Sequence, residues 1–206
     1  MATYPQTLPD RIQAETYLQR AAASNPGPWV EHSRQVASSA ARIAAHHPDL
    51  DPGSGYIYGL LHDIGRQEGV YGMRHIMDGY DFLIQEGFPD AARICLTHSY
   101  PIPNVMAGSS PWDGTPEQAC FVTDFLATHP YTPYDRLIQL CDSLCLPNGP
   151  VLMEKRLIDV VLRYGFNDHT LAKWQAFYRI KAEFERMIGC SIYSLLPEVV
   201  ENTFND

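Results

Sequence analysis

Residues 60–66 read Leu-Leu-His-Asp-Ile-Gly-Arg and place a histidine directly beside a carboxylate in an otherwise apolar segment. Burying His62 and Asp63 without partners would be costly in free energy. A divalent cation satisfies both side chains, because neutral imidazole and ionised carboxylate are ligands that such ions accept. The alternative is that the two side chains only hydrogen-bond to each other. The other histidines and acids of the chain therefore decide between a metal site and a structural pair.

His32 is the first histidine that can join this pair. It lies on the apolar stripe of a helix predicted over about residues 29–47, one turn before Val36. We therefore expect its side chain to point inward, as a metal ligand or as a satisfied core residue. His46 and His47 end the same helix just before a proline, and we interpret them as caps rather than ligands, since a cation suits a helix C-terminus.

The His62–Asp63 pair is predicted to lie at the end of a helix over about residues 56–64. Gly65 follows, and glycine suits the left-handed residue that commonly ends a helix. This arrangement would leave the pair at an open helix end. Ligands from other helices can approach it there.

Two further histidines lie on apolar helix faces. His75 begins a helix predicted over about residues 73–85, and His98 ends a short helix over about residues 90–98, on the same face as its apolar residues. Each therefore needs a polar partner in the interior.

Asp142 is an acid at a buried position. It lies four residues after Ile138 on a helix predicted over about residues 134–146. Acids are rarely buried without a partner, so Asp142 also needs one. Cys141 and Cys145 flank it and could in principle bind zinc. With no second cysteine pair in the chain, packing in the core is the favoured interpretation.

Residues 99–116 form a long predicted loop directly after His98, because prolines and glycines interrupt any periodicity. Loops of this length in a compact domain are often functional. The segment is either a flap that covers a substrate or an inert surface excursion.

The remaining pattern is helical throughout. There is no β-hairpin signal, no internal repeat and no low-complexity tract, so we predict an all-α, bundle-like single domain over residues 1–206. The predicted helices cover about residues 11–24, 29–47, 56–64, 73–85, 90–98, 117–128, 134–146, 151–164 and 168–189.

Composition and net charge argue against several classes of function. The chain has 206 residues, 45% of them hydrophobic, which suits one globular domain. A formal net charge of -9 argues against binding to long nucleic acid or anionic membranes. No apolar run is long enough for a membrane span, and five scattered cysteines without a secretory segment favour free thiols in a reducing cytoplasm. The sequence leaves homodimer formation open.

The inward-facing ionisable residues follow the order His, His-Asp, His, His, Asp. This order resembles the HD-domain superfamily of metal-dependent phosphohydrolases, over roughly residues 32–142. The resemblance implies an all-α bundle with the metal site in its core, a motif-bearing part over about residues 28–146, and C-terminal helices 151–200 packed on it. It implies one metal held by His32, His62, Asp63 and Asp142, and, as in the binuclear subset, a second held by His75 and His98 and bridged by Asp63.

The same resemblance implies the chemistry. Two divalent ions, iron or manganese or else zinc, magnesium, nickel or cobalt, would activate a water for attack on a phosphate ester. Asp63 would be catalytic as the bridge, and Arg66 and Arg74 could offer forked donors to phosphate oxygens. The alternative for both arginines is a surface salt bridge. Lys155 and Arg156 are weaker candidates for the same role.

The expected substrate is a small phosphate ester or nucleotide. The signature of the branch that cleaves cyclic dinucleotides is missing, since Gly79-Tyr80 is followed by Asp81. The same six ligands also resemble the diiron oxygenases of the superfamily, which cleave a C–C or C–P bond. A domain that only senses a nucleotide is disfavoured, because the ligand set is complete.

Overall fold

A computed structural model describes residues 7–205 of the chain. Over these residues the fold is all-α, as predicted. The α-helices are α1 (Arg11–Ser24), α2 (Pro28–Ala44), α3 (Pro52–Leu61), α4 (His75–Gln85), α5 (Pro89–Thr97), α6 (Pro116–Thr128), α7 (Pro133–Asp142), α8 (Met153–Tyr164), α9 (Thr170–Ile188) and α10 (Val199–Phe204). Single 3-10 turns cover Ile64–Glu68, Val105–Ala107 and Ile192–Leu195.

A small antiparallel pair of strands corrects the prediction that no hairpin is present. Strand β1 (Cys145–Leu146) pairs with β2 (Gly149–Pro150), so α7 ends at Asp142 and does not continue to residue 146. Pro147 cannot continue a helix, and Gly149 has a φ of 139°, which favours glycine. The early end of α7 leaves Asp142 at a helix terminus.

Helices α2 and α3 pack very closely, because Gly59 of α3 lies against the backbone of α2. A Cβ atom at Gly59 would lie 2.7 Å from the Cα atom of Ala37, which is too close for any side chain. The close contact brings the ends of the two helices together. As a result, the rings of His32 and His62 have centroids 5.3 Å apart.

A buried ion pair fixes α5 against α7. Asp135 is fully buried, caps the start of α7 and accepts hydrogen bonds from Arg93 of α5 at 2.8–3.1 Å. Its Oδ1 atom also accepts from the hydroxyl of Thr97 at 2.6 Å. Because one carboxylate serves both helices, the chain segments that carry His98 and Asp142 are held in a defined relation.

The loop over residues 99–116 packs against the rest of the protein. Tyr100 is fully buried in an apolar cluster with residues of α4, α5 and α6. Asp113 accepts hydrogen bonds from the backbone nitrogens of Gly72 and Arg74, and Asn167 donates to the carbonyl of Gly108 at 3.1 Å. The loop is therefore tied to segments on both sides of the predicted site.

The C-terminal part of the described chain joins the main core. Phe177, Ile180 and Phe184 of α9 belong to the same buried apolar cluster as residues of α2 and α3. His47 stacks near Phe184 and accepts from the backbone nitrogen of Asp49, so it is a buried packing residue and the prediction that it caps α2 is wrong. Within residues 7–205, no helix combines the length and apolar character needed to cross a bilayer.

Candidate metal centre

The six predicted ligands come from separate segments that meet in one region of the interior. Most of them lie at a helix end, where backbone groups and side chains are accessible to a ligand. His32 is in α2, His62 and Asp63 follow α3, His75 begins α4, His98 follows α5 and Asp142 ends α7.

The His75 cluster consists of Asp63, His75 and His98, all buried. The Nε2 atom of His75 lies 3.1 Å from Asp63 Oδ1 and 3.4 Å from His98 Nε2. His98 Nε2 lies 3.5 Å from the same Oδ1 atom. Donor atoms that bind one ion at about 2.1 Å lie about 3.0–3.5 Å from one another, so these spacings suit a single cation.

The His32 cluster consists of His32, His62 and Asp63, and it is also buried. Its donor atoms lie within 4.8 Å of one another, with His62 Nε2 at 3.8 Å from Asp63 Oδ2. Asp142 lies beside it, with Oδ1 at 3.0 Å from His32 Nε2. The two clusters share Asp63, and each uses a different oxygen of that carboxylate.

Backbone carbonyls fix the orientation of three imidazoles. The Nδ1 atoms of His62, His75 and His98 lie in hydrogen-bond contact with the carbonyls of Gly59, Gly72 and Cys95. A carbonyl can only accept, so each Nδ1 carries the proton and each Nε2 presents a lone pair to the centre. This is the tautomer that a metal-binding histidine needs.

Five buried side-chain atoms of the described chain have no hydrogen-bond partner, and two of them, His62 Nε2 and Asp63 Oδ1, lie in these clusters. His75 Nε2 is close to Asp63 Oδ1, but both atoms present lone pairs, so no hydrogen bond forms between them. Buried lone pairs that face one another are costly unless a cation lies between them. The donor set therefore fits a divalent metal ion.

The clusters open onto one cavity of about 540 Å³, the main cavity. Its charged lining comprises three carboxylates and three guanidinium groups, which balance in charge. A divalent cation would therefore give the cavity a net positive charge. These six residues are Asp63, Asp142, Asp159, Arg66, Arg156 and Arg163.

A family model for the HD domain matches residues 29–146, more than half of the chain. The chain belongs to the HD-domain family. The HD superfamily consists mostly of metal-dependent hydrolases, and its members bind divalent metals. No curated protein and no solved structure matches the chain.

The electrostatics of this HD domain favour metal binding at neutral pH. Burial lowers the pKa of His62 to about 3, and burial together with the Arg66 guanidinium lowers the pKa of His75. Both imidazoles are therefore neutral at pH 7. Burial would raise the pKa of Asp63 and of Asp142, but Arg66 beside the first, and His32 with Arg156 beside the second, hold both well below the ordinary value.

The two predicted phosphate-binding arginines lie in different surroundings. Arg66 donates from Nε to Asp63 Oδ2 at 2.7 Å and lines the main cavity, with its side chain 25% exposed. Arg74 pairs with Asp78 at 3.2 Å, is 38% exposed and does not belong to the cavity lining. Arg74 therefore lies in the kind of surface ion pair that the sequence left open as its alternative.

The two weaker candidates for phosphate binding, Lys155 and Arg156, also lie in different surroundings. Arg156 donates to the backbone oxygen and Oδ1 atom of Asp142, both at 3.3 Å, and lines the main cavity. Lys155 instead donates to the carbonyls of Asn202 and Thr203. Of these two residues, Arg156 is the one that reaches the metal centre.

Gly65 has a role different from the predicted one. It lies inside the 3-10 turn Ile64–Glu68 and has no positive φ, so it does not end a helix in the left-handed conformation. A Cβ atom there would overlap the carbonyl oxygen of His75 and the amide nitrogen of Gly79. Gly65 is therefore needed for the close approach that brings His75 to Asp63.

Sequence reasoning missed part of the cavity wall. Asp159 bridges Arg156 and Arg163 at 3.2 and 2.6 Å, and all three line the main cavity from α8. Their spacing of three and four residues along one helix face was the available signal. Cys141 and Cys145 are both buried in the apolar core, in accordance with the favoured interpretation.

Proposed function

We propose that this HD domain hydrolyses a phosphate ester of a small molecule, such as a nucleotide or a related metabolite. One observation supports this more than any other. Two ligand clusters that share Asp63 open onto a single cavity that also presents guanidinium groups. Metal ligands beside phosphate-type donors favour phosphoryl chemistry.

In this proposal the His32 cluster with Asp142 holds one divalent ion and the His75 cluster holds a second, with iron and manganese as the first candidates. The bound ions would lower the pKa of a water and neutralise charge on the phosphoryl group. Asp63 fixes the relation between the two sites, because its two oxygens face different clusters.

Arg66 and Arg156 are the proposed phosphate-orienting residues. Each is already held by a carboxylate of the metal centre, at 2.7 Å from Asp63 and 3.3 Å from Asp142. Arg156 donates three hydrogen bonds, two to Asp142 and one to Asp159. A guanidinium has five N–H donors, so each arginine keeps N–H groups for a phosphate oxygen. The cavity lining is balanced in charge, so bound cations would leave it attractive to an anionic substrate.

Cavity size and charge support a small substrate. A volume of about 540 Å³ is in the range that binds a single small molecule. The net charge of -9 is unfavourable for long nucleic acid. We expect the enzyme to work in the cytoplasm, where its five cysteines, none of them in a disulfide, would stay reduced. Alkylation of the cellular protein at fewer than five cysteines, after unfolding in denaturant to expose the three buried ones, would contradict that location.

The test is an anaerobic assay of phosphomonoesters, phosphodiesters and nucleotides with protein loaded with Mn²⁺ or Fe²⁺. We expect phosphate release from at least one compound without oxygen. The diiron oxygenase alternative has the same ligands but requires iron and consumes dioxygen. No phosphate release from any compound, together with oxygen uptake by the iron-loaded protein on a polyol or phosphonate, would contradict the hydrolase.

A further inference from the structure

Lys173 is a buried cation outside the part of the chain that the HD family model matches. It lies in the first turn of α9 and is only 8% exposed. Its Nζ atom donates to the hydroxyl of Ser109 at 3.1 Å. Among residues 7–205, no carboxylate lies within ion-pair distance of this ammonium group. A buried lysine without an acidic partner is costly, so its retention calls for a specific reason.

Lys173 lines a second, smaller cavity of about 60 Å³, the side cavity. Its lining includes the polar side chains of Lys173, Arg156 and Ser109 together with the apolar side chains of Leu157, Val160 and Phe177. Charge interactions are stronger beside apolar side chains than in water. The charged lining of the side cavity comprises two cationic groups, Lys173 and Arg156, and one carboxylate, Asp142, so it is net positive and favours an anion.

The side cavity adjoins the main cavity. Ser99, Ser109, Asp142, Arg156 and Val160 line both of them. Arg156 lies at the boundary, because it contacts Asp142 at the metal centre and also lines the side cavity. A molecule bound at the metals can therefore extend one arm past Arg156 toward Lys173.

We infer that the side cavity binds a second anionic group of the substrate, a carboxylate or a second phosphate, between Lys173 and Arg156. This inference rests on the proposed hydrolysis of a phosphate ester, and it narrows the substrate to esters with two anionic ends. The volume suits a group of that size and not a nucleobase. Burial lowers the pKa of Lys173 to about 8, which still leaves most of the side chain charged at pH 7.

The hydrogen bond to Ser109 uses one of the three donors of the ammonium group. The other donors are available to an anion in the cavity. Ser109 belongs to the loop over residues 99–116, so the same lysine also contacts the segment that borders both cavities. An anion held by Lys173 would therefore lie directly against this loop.

The experiment compares phosphomonoesters with and without a carboxylate. Glycerol 3-phosphate has one anionic end, whereas phosphoglycolate, 3-phosphoglycerate and 6-phosphogluconate carry a carboxylate at increasing distance from the phosphate. Binding to the Mn²⁺-loaded protein is measured by calorimetry, and phosphate release is measured in parallel. We expect at least one carboxylated compound to bind about tenfold more tightly than glycerol 3-phosphate, as for one added ionic contact.

Three variants test whether the preference for a carboxylated compound depends on Lys173. Lys173→Met keeps the length of the side chain and removes its charge, so it should bind the preferred carboxylated compound no more tightly than glycerol 3-phosphate. Lys173→Arg should retain part of the preference. Lys181→Met, on the same helix but paired with Glu185 at the surface, should behave as the unmodified protein. Circular dichroism checks that each variant is folded.

The outcomes separate this inference from the proposed function. A preference that persists in Lys173→Met, or equal or absent binding of all four compounds by the unmodified protein, overturns the anion site. A preference that depends on Lys173 without phosphate release from any compound keeps the anion site and contradicts the hydrolase. Phosphate release without a preference for a carboxylated compound supports the hydrolase and overturns the anion site.

Discussion

The two halves of the metal centre share one carboxylate but are built differently. In the His75 cluster, both imidazoles are fixed by backbone carbonyls and the donor atoms lie 3.1–3.5 Å apart. Beside the His32 cluster, Asp142 is 20% exposed and is also bonded to Arg156 at 3.3 Å. The oxygen of Asp63 that faces this side accepts from Arg66.

The difference concerns preorganisation. At the His75 cluster, the one guanidinium contact to a donor atom within the described chain is that of Arg66 with His75 Nε2, at 3.5 Å. A cation at the His32 cluster must compete with the shorter bonds of Arg66 to Asp63, at 2.7 Å, and of Arg156 to Asp142, at 3.3 Å. Donors that are already positioned cost less ordering free energy when a ligand binds. We therefore expect the His75 cluster to bind its ion more tightly than the His32 cluster.

The largest effect is expected at the residue common to both halves. Asp63→Asn replaces an oxygen that both clusters need by an amide group, so metal content should fall at both sites and turnover should become undetectable. Elemental analysis and phosphate release measure the two effects. Asp124→Asn, an exposed acid on α6, is the matched control and should keep both. Full metal content in Asp63→Asn would show that Asp63 is not a ligand.

The next effect distinguishes the two halves. His75→Ala combined with His98→Ala should remove the more tightly bound ion, whereas His32→Ala should remove the more weakly bound one. Metal titration of each variant after chelator treatment measures both affinities. If the double variant binds as many ions as the unmodified protein, the site is mononuclear. If His32→Ala loses the more tightly bound ion instead, the His32 cluster binds metal more tightly than the His75 cluster.

The free energy of unfolding should depend on pH through the buried imidazoles. In the unfolded chain His62 binds a proton near pH 6.5, but in the fold it does so only near pH 3. The unfolded state therefore binds more protons over this range, and stability should fall on acidification by about 1.4 kcal/mol per pH unit for this histidine. The lowered pKa of His75 adds to the loss in the same direction.

Urea denaturation of the metal-free protein between about pH 6.5 and 5 measures this slope, above the range in which the unfolded carboxyls of Asp63 and Asp142, with an ordinary pKa of 3.8, bind protons. His62→Gln, which cannot titrate, should flatten it, whereas His129→Gln at an exposed position should not. A slope that is unchanged in His62→Gln would mean that His62 is not neutral in the fold.

The smallest effect concerns the arginines. Arg66→Gln should lower kcat/KM by about 10- to 100-fold, as for a residue that supports a metal ligand. Arg74→Gln should stay within about fivefold of the unmodified protein, because the Arg74 side chain does not line the main cavity and contacts none of the metal ligands. Steady-state kinetics on the best substrate measures both. A large loss of kcat/KM in Arg74→Gln would instead support its predicted role as a phosphate-binding residue.

The helices were predictable because apolar periodicity and chain-breaking residues mark them locally. The bounds of α1 agree with the prediction, and most other helices differ by a few residues at their ends. The start of α3 was missed, since Gly53 and Gly55 resemble a turn, while Pro52 at the first position with Asp51 as cap begins a helix there. Local patterns therefore fix the elements better than their ends.

The site was predictable where each residue lies on an apolar face of its own helix, as His32 and His98 do. The partners of Arg66 and Arg74 lie three and four residues away and were within reach of sequence spacing. The bond of Arg156 to Asp142 was not predictable, because it depends on how α8 packs against the end of α7. Lys173 gave no signal either, since a lysine in an amphipathic helix is normally solvated. Its burial depends on the packing of α9 against the loop at residue 109.

The bond between Arg66 and Asp63 affects the order in which the protein folds and acquires its metal ion. A newly folded chain must bury an ionised carboxylate among histidines before any cation has arrived. The guanidinium of Arg66 supplies one positive charge at that position, so the interior is neutralised from within the chain. Folding and metal loading can therefore occur in sequence, and the ion can arrive late.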